Sequence, residues 1–282
     1  MIFQSAFFLS KKERDRILKL IRRVVYYFIW QFIFLNSLLA GSVSANESCL
    51  TNKQQLARVT DWAIVATVVD GDTIYLKDGR KIRVIGINTP EIGRRGKPSE
   101  PFAREAHKTL RRLLTRNKKI GLTYDLDKKD RYKRTLAYVN LEDGRSVAQI
   151  LLAKGLAHSI VVPPNDARID CYRAIEHRAQ NSHSGIWQLP DNQWLDAYSL
   201  PEKSKGLRFV RGVISHYSEG RKSIYLKLTP ELSIRIAKKD KQYFPDLNFK
   251  TLSGKSVSVR GWVSTYKGRQ SIHIRSEHDL EF

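Results

Sequence analysis

From residue 62 onward, short runs of apolar and β-branched residues alternate with polar ones and are parted by turns rich in glycine and aspartate. Residues 62–69, 73–76 and 81–87 form three such runs, separated by Asp70-Gly71-Asp72 and Lys77-Asp78-Gly79, and predict a meander of strands. The period then changes. Ser99 and Pro101 open a stretch in which Phe102, Ala106, Leu110, Leu113 and Leu114 recur at helical spacing, with Arg104, Lys108, Arg111 and Arg112 on the other faces. Two more strands follow at 119–124 and 135–140. Ser146 then caps a helix that carries Val147, Ile150 and Leu151 and stops at Gly155. A third amphipathic helix over 166–181 presents Ile169, Tyr172 and Ile175. This order, five strands with a helix inserted after the third, predicts an α+β domain over 61–188: an OB-fold β-barrel of five strands with three helices.

A polar lead at 46–60 precedes that domain, and residues 189–206, with two prolines and Trp194, read as a linker. Strand-like runs resume at 209–216, 223–228, 233–237, 257–265 and 271–274, with a polar, helix-compatible stretch at 238–248. The strand order of the first domain thus returns without sequence repetition, and 207–282 is expected to be a second small OB-like β-barrel.

The first 45 residues follow a different pattern. A basic stretch from Lys11 to Arg23 precedes an apolar run at 24–40, and Gly41-Ser42-Val43-Ser44-Ala45 follows with small residues. This is the order of a secretory signal peptide with cleavage after Ala45. The alternative is an uncleaved anchor, because an apolar run of seventeen residues lies at the lower edge of what spans a bilayer. Positive residues stay on the cytoplasmic side in either case. The remainder is therefore expected to be exported, periplasmic or extracellular, or held at the membrane through 24–40 and facing outward.

Charge narrows the choice of partner. Fifty Lys and Arg against 28 Asp and Glu give +22, and the part after Ala45 still carries +17, because only seven basic and two acidic residues precede it. Such an excess predicts an anionic partner: nucleic acid, acidic lipid or an acidic polymer. Two cysteines, Cys49 and Cys171, exclude a disulfide-built scaffold and a four-cysteine zinc site. An oxidising compartment permits a Cys49–Cys171 disulfide, and two unpaired thiols are equally compatible with the sequence.

Candidate chemistry clusters at strand ends. Asp72 follows a glycine turn, Arg83 and Glu91 bracket an apolar strand, and Asp130-Arg131-Tyr132-Lys133-Arg134 leads into another. Taken singly, each has a bland role, as a turn former or a surface ion pair. Together they supply what phosphodiester hydrolysis needs: a carboxylate to orient or deprotonate water, hard oxygens for a cation, and guanidinium groups for a phosphate. At this point the chain resembles the staphylococcal nuclease, or thermonuclease, family. The resemblance runs from about Trp62 to Trp187 and rests on Asp70-Gly71-Asp72-Thr73, Arg83, Thr89-Pro90-Glu91, Asp130 to Arg134, Leu136-Ala137-Tyr138 and Gly185-Ile186-Trp187. It implies an OB-barrel nuclease that cleaves DNA and RNA with calcium or another divalent cation and leaves 3′-phosphate ends. By position it implies that Asp72 and the Thr89 carbonyl ligate the metal, that Glu91 positions or deprotonates the water, that Arg83 and Arg134 bind the phosphate, and that Tyr132 contacts the nucleotide.

Two positions depart from the family pattern. The second metal-binding carboxylate is replaced by Asn88, whose amide oxygen can ligate but brings no charge, so weaker calcium binding is expected. The tyrosine-bearing segment that packs against a bound base aligns with Ser159-Ile160-Val161-Val162. Arg94, Arg95 and Lys97 of the 92–98 loop are candidates to compensate by backbone attraction, and Arg131 is a further candidate for substrate binding. In the C-terminal part, Tyr217, Arg221, Lys222, Tyr225, Trp262, Tyr266, Lys267 and Arg269 interleave aromatic and basic groups, as single-strand binding requires. The expected function is an exported, metal-dependent, sequence-nonspecific nuclease. The alternatives are a catalytically weak or inactive nucleic-acid-binding protein and an envelope protein that uses a basic surface.

Overall fold

The computed structural model describes residues 49–116 and 119–282, and the signal or anchor segment 1–45 lies outside the described residues. Asn46–Phe282 forms one compact unit. Its chain begins with helix α1 (Asn52–Ala57), followed by strands β1 (Asp61–Val68), β2 (Thr73–Leu76), β3 (Lys81–Val84) and β4 (Ile87–Asn88). Helix α2 (Ala103–Arg116), β5 (Lys119–Thr123), β6 (Thr135–Asn140), α3 (Val147–Ala153), β7 (His158–Ser159) and α4 (Ile169–Asn181) complete the first part. The path β1-β2-β3-β6-β5 closes into a barrel, with β3 and β6 parallel and the other neighbours antiparallel. Alternation places Ile74, Leu76, Ile82, Val84, Ile120 and Leu122 in its core, where Leu110 of α2 and Leu151 of α3 pack.

The short lead is folded rather than extended. Thr51 and Gln54 form a capping box on α1, Gln55 is buried and accepts a bond from Arg168, and a disulfide joins Cys49 to Cys171 of α4. The run 81–87 divides into β3 and β4 because Gly86 adopts φ +83°, and a Cβ there would lie 2.5 Å from the Tyr172 ring. β4 instead pairs with β7, which sets Asn88 opposite His158.

Strands β8 (Trp194–Asp196), β9 (Gly206–Val213), β10 (His216–Glu219), β11 (Ser223–Lys227), β12 (Leu232–Ala237), β13 (Ser256–Tyr266), β14 (Arg269–Ile274) and β15 (Leu280–Glu281) form the second sheet. Its order is β10-β11-β12-β14-β13-β9-β8, with β15 on β13 and with β12 and β14 parallel. β9 and β10 are halves of one run: the Ile214 amide bonds to Lys255 on the β13 side, and the next amide, Ser215, bonds to Lys227 on the β11 side. This one run therefore borders both β13 and β11, and the sheet reproduces the strand order of the first barrel. The stretch 189–206 is not a free linker, because β8 adds to β9 in parallel and Trp194 packs on Phe209 with ring centroids 5.4 Å apart. The helix-compatible segment after β12 forms two short 3-10 turns, Lys238–Tyr243 and Phe249–Thr251.

Two features lock the sheets together. Ala179, Ile186, Trp187, Leu207 and Phe209 make a small shared core. Beside it, Arg260 of β13 reaches across to Glu176 of α4 and to the Ser159 carbonyl, 2.8 Å away. Burial alone would raise the Glu176 carboxyl, but Arg260, Arg173 and the Ser159 hydroxyl outweigh it and hold the group at about 2.

Candidate active site

Asp72 leaves the Asp70–Asp72 turn just before β2 and is buried. The turn can lie there because residue 71 is glycine: a Cβ would sit 2.7 Å from the Thr89 side chain and 2.8 Å from Ala106. Antiparallel pairing places Thr73 opposite Arg83, so the Arg83 guanidinium reaches back to Asp72 Oδ2 at 2.7 Å. Its other arm donates to the Asn88 amide oxygen at 3.0 Å. The Thr89 amide donates to Asp72 Oδ2 at 2.9 Å, and the Thr73 hydroxyl donates to Oδ1 at 3.0 Å. Residues separated by up to 17 positions in the chain thus converge on one carboxylate.

The same turn supplies a second acid, Asp70, whose Asp-Gly-Asp context reads in the sequence only as a turn. Its carboxylate accepts the Asp72 amide at 3.2 Å, and burial, then the Asp72 charge, push its own carboxyl up. Glu91 is raised too, first by desolvation and then by Asp70 and Asp72, with Arg83 pulling the other way. A carboxyl moved up in this manner is a better proton acceptor at neutral pH. Glu91 is held at the base of the 92–98 loop by its amide bond to Glu100 at 2.8 Å, and the Glu100 amide returns a bond to the Glu91 carbonyl at 3.0 Å.

β3 and β6 run in parallel with Arg83 opposite Leu136, which brings the 130–134 loop beside Arg83. Asp130 orders that loop: it accepts the Tyr132 and Arg134 amides and pairs with Arg134 Nε at 2.7 Å. The Arg131 and Arg134 guanidinium groups lie 4.8 and 5.5 Å from the centre of the exposed Tyr132 ring. Arg83, Arg131, Tyr132 and Arg134 line one cleft of 460 Å³. Ile160, Val162 and Pro163 give it an apolar part, and Arg275 of the second sheet also lines it. Arg94 and Arg95 are exposed on the 92–98 loop and are not among the cleft-lining residues.

The donors suit a hard cation. Asp72 and Asn88 present oxygens to a single positive group, the Arg83 guanidinium, and Thr89 is buried beside them. Among the described residues no three His, Cys, Asp or Glu side chains are grouped to hold a metal, so neutral oxygens would have to complete such a set.

In the second sheet, register separates the aromatic and basic residues into groups. Tyr225, Arg235, His273 and Trp262 face one another successively across β11, β12, β14 and β13. Tyr266, Lys267 and Arg269 gather at the β13–β14 hairpin, whereas Arg221 and Lys222 lie in the β10–β11 turn.

Residues 81–189 match the family model for staphylococcal nuclease homologues. The thermonuclease of Staphylococcus intermedius is 39% identical over 129 residues, which are 44% of this chain and 75% of that protein. The thermonuclease of Staphylococcus hyicus is 41% identical over 127 residues, 44% of this chain and 73% of that protein. Endonuclease YncB of Bacillus subtilis is 35% identical over 141 residues, 48% of this chain and 64% of that protein.

Proposed function

Because the chain belongs to the staphylococcal nuclease family, we propose that it hydrolyses phosphodiester bonds of DNA and RNA without sequence preference and with a divalent cation, calcium first among the candidates. The observation that carries this is the convergence of Arg83, Asp72 and Asn88 next to Glu91, whose carboxyl is raised, with Arg83 and Arg134 lining the same cleft. Arg83 and Arg134 neutralise the phosphate and tighten on it as charge builds in the transition state. Glu91 orients the attacking water and takes its proton. Tyr132, flanked by Arg131, holds the neighbouring nucleotide. Asp72, Asn88 and the Thr89 carbonyl are the groups to hold the cation, which when bound adds positive charge at the phosphate oxygen and the water. Contacts made only to phosphate supply affinity without sequence information.

We also assign the protein to an exported location. The supports are the basic stretch, apolar run and small residues of 1–45, together with the Cys49–Cys171 disulfide. The second reading, a weak or inactive nucleic-acid binder, rests on Asn88, a neutral group where the resemblance implies a metal-binding carboxylate. The deciding experiment is cleavage of single- and double-stranded DNA and of RNA by the purified full chain in calcium, in magnesium and in chelator. Metal-dependent degradation of all sequences is expected. Binding without degradation in every metal would select the second reading.

A further inference from the structure

Arg275 lines the cleft although it belongs to the other sheet, one residue past β14. Its place is fixed from both sides. Its amide donates to Asp279 Oδ2 at 3.3 Å, and Asp279 in turn pairs with Arg173 of α4 at 3.3 Å. Its side chain is 43% exposed and makes only 3.4 Å contacts with the buried Asp240.

Residues two apart along a strand share a face. His273 therefore lies on the same side of the second sheet as Arg275, and the row Tyr225, Arg235, His273, Trp262 crosses that side. The row stays open: Trp262 is 42% exposed, and Tyr225, Arg235 and His273 are partly exposed. On β13 the same side carries Arg260, which docks on Glu176, so the docked part of the face gives way directly to the open part. From Arg275 to Trp262 the path runs two residues along and one strand over, about 8 Å from strand rise and spacing. Aromatic rings interleaved with cations on an OB-type sheet suit stacked bases and their phosphates.

We infer that a single-stranded nucleic acid leaving the cleft passes Arg275 and continues onto this face of the second sheet, with a phosphate on Arg275 and a base stacked on Trp262. This rests on the nuclease reading for what fills the cleft. It makes the second sheet part of the substrate site, a surface that lengthens the cleft beyond the scissile bond.

The test is binding of fluorescein-labelled oligothymidylates of three and twelve nucleotides to the full chain, in chelator, as a function of salt. Wild type should prefer the dodecamer. Arg275→Ala should weaken dodecamer binding about tenfold and reduce the steepness of its logarithmic salt dependence by about 0.7. Trp262→Ala should weaken the dodecamer roughly tenfold and leave the trimer unchanged. Asp240→Asn removes the same ion pair but keeps the Arg275 charge, so it should bind the dodecamer at least as well as wild type. The inference is overturned if Arg275→Ala or Trp262→Ala, still folded, binds the dodecamer like wild type. It is equally overturned if Asp240→Asn loses as much as Arg275→Ala, or if wild type does not bind the dodecamer. Hydrolysis of the dodecamer in calcium is scored separately: binding in the expected pattern without cleavage would refute the nuclease reading and leave the track standing.

Discussion

Arg83 serves two acceptors at once, the Asp72 carboxylate at 2.7 Å and the Asn88 amide oxygen at 3.0 Å. Its loss should therefore be felt in turnover and in the order of the site together. Arg83→Ala and Arg134→Ala are each expected to lower kcat more than they raise KM, because their forks tighten on the pentacovalent phosphate. A change confined to KM in steady-state kinetics would make them positioning residues. Asn88 offers a different lever. Asn88→Asp adds a charge beside Asp72, on the far arm of Arg83, so it should tighten calcium binding in titration calorimetry. Equal calcium affinities would place Asn88 outside the metal's reach. Most of these residues are legible in the sequence because each stands at a strand end or turn where side chains converge. Asp70 was hidden by its turn role. Arg275 lies far off in the chain: only the docking of the two sheets brings it to the cleft that Arg83 lines, and no local pattern announces that.

Among the elements, β2 and β6 fall where alternation puts them, over 73–76 and 135–140, because each has one face in a closed barrel. The elements that alternation misses are short and stabilised by tertiary contacts. α1 has six residues and no apolar stripe, and it is held by Gln55 and the neighbouring disulfide. β8 has three residues and exists by pairing with β9. β7 matters most for pH. His158 within it is partly buried and packs on Trp187 and Phe209, and desolvation, with Arg260 adding, lowers its imidazole to about 4 despite the pull of Glu176. An unfolded histidine titrates near 6.5. The unfolded chain thus binds the extra proton between those values, and stability should fall as pH drops from 6.5 to 4, by on the order of 3 kcal/mol. Glu176, held at about 2, contributes stability above its ordinary value of 4.5 that is lost as pH falls toward 2. In urea titrations from pH 7 to 4.5, His158→Gln should lose less stability than wild type. Parallel curves for the two proteins would remove His158 from the effect.

At the scale of the molecule, a closed barrel and a second sheet of like strand order are joined by a buried ion network as well as by apolar packing. Among the described residues Glu176 is the carboxylate that pairs with both Arg173 and Arg260, so Glu176→Gln leaves Arg260 without its carboxylate and Arg173 with Asp279 alone. The expected loss is about 3 kcal/mol, seen as a lower midpoint in urea. A change below about 0.5 kcal/mol would show that the shared core around Trp187 and Phe209 suffices. Sequence alone gives no sign of this network, whose partners Glu176 and Arg260 lie 84 residues apart. The central claim, that the site around Arg83 hydrolyses nucleic acid with Glu91 as base, is tested most directly by single-turnover cleavage of one labelled oligonucleotide by wild type and Glu91→Gln, with affinity measured on the same substrate. The substitution keeps size and one acceptor but removes the base, so cleavage should slow by about 100-fold or more at unchanged affinity. Equal cleavage rates for the two proteins would contradict the claim.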